Sequence, residues 1–89
     1  MKATTLIRKR VKEIAEQTGI PYKASIKTRC FLGRDLRMVL CIDELPTMFV
    51  GQAMLDKHAV MRDFVKNELP ALCEQYAKEN DTKLLCALS

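Results

Sequence analysis

The 89 residues carry 15 lysines and arginines against 11 aspartates and glutamates, a net charge of +4, with 48% hydrophobic and 29% charged residues. A chain of that size holds one domain with a modest core, so residues 1–89 are expected to form a single domain, and the balance of apolar and charged residues excludes a disordered or fibrous class. The charge is unevenly spread: residues 1–40 hold ten basic groups against three acids (+7), and residues 41–89 hold five against eight (−3).

In chain order, Ile7, Val11, Ile14 and Ala15 recur at helical spacing while Arg8, Lys9, Lys12, Glu13, Glu16 and Gln17 fill the other faces, which predicts an amphipathic helix from Thr5 to about Thr18. Thr4 or Thr5 is the expected cap at its start. Gly19 suits the left-handed position after its last turn, Ile20 folds back on the helix, and Pro21 cannot continue it. From Ala24 to Leu32 the pattern changes to period two, with Ile26, Thr28, Cys30 and Leu32 on one face and Ser25, Lys27, Arg29 and Phe31 on the other, as in a half-exposed strand. Gly33-Arg34-Asp35 supplies turn chemistry, and Leu36 to Leu45 is apolar on both alternating faces, as in a central strand paired to the first in an antiparallel hairpin.

Pro46 ends that strand, and Thr47 to Gly51 reads as a short third strand or an apolar loop. Met54, Met61, Phe64, Val65, Leu69, Leu72, Cys73 and Tyr76 then mark a long helical pattern over about Gln52 to Asn80, interrupted by Pro70. A proline there implies a kink, or two helices with Pro70 in the first turn of the second. After Asn80-Asp81-Thr82, the run Leu84, Leu85, Cys86 and Leu88 is long enough for a last strand. The fold class is therefore α+β in the order α-β-β-(β)-α-β, an antiparallel hairpin packed against an N-terminal helix and a long or Pro-kinked C-terminal helix.

The inventory of chemical groups points away from an enzyme, a cofactor or a metal. His58 is the one histidine and has no motif around it, and the glycines are isolated rather than gathered in a phosphate loop. Asp43 and Glu44 are adjacent at a strand end, which sends their carboxylates to opposite faces. The four cysteines, Cys30, Cys41, Cys73 and Cys86, lie far apart in apolar runs, so reduced thiols and a cytoplasmic location are expected. Leu45 to Leu55, the longest nearly uncharged stretch, is too short to cross a membrane, and no apolar signal segment follows Arg8, Lys9 and Arg10.

What rises above this background is the basic half. Arg8, Lys9 and Lys12 on the helix, with Lys23, Lys27, Arg29, Arg34 and Arg37 on the hairpin, are the expected phosphate-neutralising residues of a small regulatory nucleic-acid-binding protein. The competing expectation is a protein-binding inhibitor or adaptor, in the manner of phage and mobile-element accessory proteins. Its basic half would meet an acidic protein surface, and Met48, Phe49 and Met54 would supply an adaptable apolar contact. The charge split also suits self-association as a homodimer.

Two partial resemblances bear on the nucleic-acid reading. Ile14-Ala15-Glu16-Gln17-Thr18-Gly19-Ile20-Pro21-Tyr22 is similar to the turn of bacterial helix-turn-helix and ribbon-helix-helix regulators. That resemblance implies a helical Lys23 to Leu32 with Tyr22, Lys23, Ser25 and Lys27 facing DNA, against the strand periodicity of the same residues. The order of helix, strands and helix is similar to that of double-stranded-RNA-binding domains. The basic pair at the start of their last helix is missing, with Asp56 and a lone Lys57 in that region.

Overall fold

The computed structural model describes residues 1–31, 35–45 and 56–88, and within them the side chains of 29–31, 35–36 and 85–88 are left aside. Helix α1 (Ala3–Thr18) leads into β1 (Lys23–Phe31) and β2 (Asp35–Asp43). A helical segment follows as α2 (Ala59–Asp63), a π-helical turn (Phe64–Glu68) and α3 (Leu69–Asn80), before β3 (Leu84–Leu88). The sheet order is β1-β2-β3. β1 and β2 are antiparallel from Lys23↔Asp43 to Phe31↔Asp35, whereas β2 and β3 run parallel from Met38↔Leu84 to Ile42↔Leu88. Parallel neighbours need a crossover, and the helical segment between β2 and β3 is that crossover. The α+β class and the central place of β2 match the sequence pattern. The short third strand expected at Thr47 to Gly51, like the turn residues Gly33 and Arg34, lies outside the described residues.

The hydrophobic pattern explains the layering. Ala3, Ile7, Val11 and Ile14 are buried along one stripe of α1, and they join Leu40, Ile42, Met61, Phe64, Leu69, Tyr76 and Leu84 in one core cluster. Ala24, Ile26 and Met38 pack against it from the same face of the sheet, since Ala24↔Ile42, Ile26↔Leu40 and Thr28↔Met38 are cross-strand pairs. Both helices therefore cover one face of the hairpin. Each fully buried Leu, Ile or Phe there contributes about 1.5–3 kcal/mol relative to leaving it in water.

The ends of α1 divide between local and distant partners. Gly19 takes the left-handed conformation (φ 75°) and its N–H donates to the Ala15 carbonyl, the C-terminal stop legible in Gly19-Ile20-Pro21. The start differs from expectation. Neither Thr4 nor Thr5 caps it, because the helix begins two residues earlier, at Ala3. The Ala3 N–H donates instead to a carboxylate oxygen of Glu79 on α3, 3.0 Å away. Gln75 holds the same corner, its amide donating to Glu79 Oε1 at 2.9 Å and to the Met1 carbonyl at 3.2 Å. Packing α3 against α1 brings a carboxylate to a helix N-terminus, where the dipole and unpaired N–H groups favour negative charge.

Pro70 is accommodated within the helical segment, as the second of the two expected alternatives, by standing in the first turn of its last helix. The Leu69 N–H reaches back five residues to the Phe64 carbonyl, and the chain resumes as α3 with Pro70 in its first turn, where no N–H is required. The register slip has a packing consequence. Phe64 and Leu69, five apart, are both fully buried, while Glu68 is turned outward to Arg10. An uninterrupted α-helix would place residue 68 under residue 64 and send a carboxylate into the core.

Candidate functional site

Period-two geometry places Lys23, Lys27 and Arg37 on the face of the hairpin turned away from the helices. Lys23, Lys27 and Arg37 are exposed. Lys23 pairs in register with Asp43, so acid meets base at that end of the ladder. Toward the connecting end, Lys27 is in register with Val39 and Arg29 with Arg37. The middle of this face is apolar: Val39 and Cys41 are 1% and 6% exposed and form no part of the helix-side core. Arg34 lies outside the described residues, as do Met48, Phe49 and Met54, which the sequence offers as a partner contact.

Arg8, Lys9 and Lys12 are exposed on α1. At 100° per residue they stand roughly 100°, 200° and 140° around the helix from buried Ile7, on the side facing away from the sheet. Glu13 and Glu16 lie one turn beyond Lys9 and Lys12. Glu13 is engaged by Arg10, whose Nη1 is 3.4 Å from it while its Nε is 3.3 Å from Glu68. Of the cationic positions grouped by the sequence, the described side chains fall into two sets, Arg8, Lys9 and Lys12 on α1 and Lys23, Lys27 and Arg37 on the hairpin. Helix and hairpin cations lie on opposite outer surfaces of a helix-on-sheet pair.

The helix-turn-helix alternative does not hold. Lys23 to Phe31 is strand over its whole length, and Tyr22, its first DNA-facing candidate, is buried. The Tyr22 hydroxyl is hydrogen-bonded to Nδ1 of His58, with the two rings edge to face at 5.7 Å. Burial first, then the nearby Lys57 charge, lowers the His58 pKa, while burial raises that of Tyr22. A neutral histidine and a protonated tyrosine make a stable buried pair, which ties the entry of β1 to the entry of α2. Asp43 and Glu44 are both exposed, and Glu44 ends the strand in a left-handed conformation (φ 69°).

Among the described residues no three His, Cys, Asp or Glu side chains gather as a metal site, and no helix is long and apolar enough to cross a membrane. Cys41 and Cys73 are free thiols, and burial raises the Cys73 pKa. Sequence reasoning missed Glu79 and Glu68. Each acts on a residue more than fifty positions away, and no local pattern encodes such a contact. No protein-family model, curated protein or solved structure matches the chain.

Proposed function

We propose that this is a small non-enzymatic cytoplasmic protein that binds nucleic acid through the outer face of the β1–β2 hairpin. The observation that carries the reading is the cationic face itself, on which Lys23, Lys27 and Arg37 are exposed. A phosphate chain that meets Lys23, Lys27 and Arg37 releases condensed counterions, which supplies affinity without base readout. The free thiols of Cys41 and Cys73 support a reducing compartment.

The test is fluorescence anisotropy of labelled duplex and single-stranded oligonucleotides across a salt series. With three to four phosphates contacted, log affinity is expected to fall with log salt at a slope of about −3. Replacing Lys27 and Arg37 together by glutamine should reduce that slope by about two. Absence of binding at low salt, or a slope unchanged in the double variant, overturns the reading.

A further inference from the structure

The second cationic surface has a consequence of its own. Arg8, Lys9 and Lys12 are exposed on the side of α1 turned from the sheet, and Lys23, Lys27 and Arg37 are exposed on the side of the sheet turned from α1. The core of Ile7, Val11, Ile14, Ile26, Leu40 and Ile42 lies between them. A helix stacked on a sheet separates its own outer side from the far face of the sheet by two full layers, so one straight strand or duplex cannot touch both sets. The acids nearest the helix set are Glu13 and Glu16. Glu13 is engaged by Arg10, which leaves Glu16 among three cations.

Resting on the nucleic-acid reading above, we propose that the Arg8–Lys9–Lys12 face of α1 is a second phosphate-binding surface, so that one molecule bridges two separate nucleic-acid segments. Phosphate is the ligand chemistry that both faces share. Both present exposed lysine and arginine on regular elements, Arg8, Lys9 and Lys12 on α1 and Lys23, Lys27 and Arg37 on the hairpin. Once the hairpin face holds one segment, a second encounters α1 on the opposite side with the core as a low-dielectric spacer.

The experiment captures a fluorescent duplex on beads carrying an unlabelled duplex of different sequence, with the intact protein added at low salt. Capture is expected to rise with protein, pass through a maximum and fall in excess protein, as each duplex becomes saturated by its own molecules. The triple variant R8Q/K9Q/K12Q should bind the bead-bound duplex within about threefold of the unaltered protein, because the hairpin face is untouched, yet lose about tenfold or more of the captured second duplex. Far-UV circular dichroism checks that α1 survives. If it does not, Lys9→Gln and Lys12→Gln made singly should each lower capture about two- to threefold. Binding without capture overturns the bridge and leaves the hairpin reading standing. Capture that persists in the triple variant also overturns it, since bridging then comes from two associated copies. No binding to either duplex overturns both readings.

Discussion

Strand β2 has two faces that do opposite things. Leu40 and Ile42 point under the helices into a core where they are fully buried, while Arg37 points the other way into solvent. Val39 and Cys41, also on the outer side, are buried without joining the helix-side core. Adjacent residues of one strand thus belong to two different physical problems. The inner face is specified by volume and fit, and the outer face combines a buried apolar middle at Val39 and Cys41 with exposed charge at Arg37. Changes to the first should be read in stability, and changes to the second in binding.

The largest expected effect is on the inner side. Phe64→Ala removes the largest fully buried side chain, from the π-helical turn, and should cost about 3–5 kcal/mol in urea unfolding, with any folded protein retaining its affinity for oligonucleotides. A variant with normal stability and lost binding would break the contrast. Next, Tyr22→Phe deletes the buried hydroxyl held by His58 and should cost about 1–2 kcal/mol by thermal or urea unfolding. A cost near zero would show that the pair contributes fit rather than hydrogen bonding. On the outer side, K27Q/R37Q should change stability by less than about 0.5 kcal/mol while weakening oligonucleotide binding. If stability instead rises clearly, the outer face bears on folding as well as on binding, and the contrast between the two faces fails.

The smallest effect is a matter of pH. The Ala3 N–H and the Gln75 amide hold the Glu79 carboxyl below its ordinary value of 4.5. The unfolded chain therefore takes up that proton first as pH falls, so the stability Glu79 contributes is present above pH 4.5 and is lost through the lower folded value. His58, held neutral by burial, acts in the same direction from about pH 6.5 downward. Urea midpoints measured against pH should show both losses, and Glu79→Gln should flatten the lower one while leaving the upper in place.

Much of this architecture was legible from periodicity. The stripe Ile7, Val11, Ile14 and the stop at Gly19-Ile20-Pro21 define α1, and the period of two that begins at Ala24 marks β1. Apolar residues on both faces from Met38 to Ile42 mark β2 as central. The direction of β3 was not legible, because an apolar run such as Leu84 to Leu88 reads the same in either orientation. The π-helical turn left only a faint trace, the five-residue step between Phe64 and Leu69 beside an outward Glu68. The site was half legible. Each basic group could be assigned to a face of its own element, but whether the two faces coincide depends on which side of the sheet α1 covers, and that is decided by packing between elements.

The parallel pairing of β2 with β3 bears on the order in which the protein assembles. Phe31 and Asp35 meet across a short connection, so the hairpin can close early at small entropic cost, whereas Met38 and Leu84 enclose the whole crossover. Docking of β3 is thus a late event that needs the helical segment, π-helical turn included, already in place. Until then one long side of β2 presents unpaired backbone beside its most apolar residues. Whatever delays the turn at Phe64–Glu68 prolongs that exposure, so misassembly of this protein should trace to the C-terminal half while its charged hairpin is already formed.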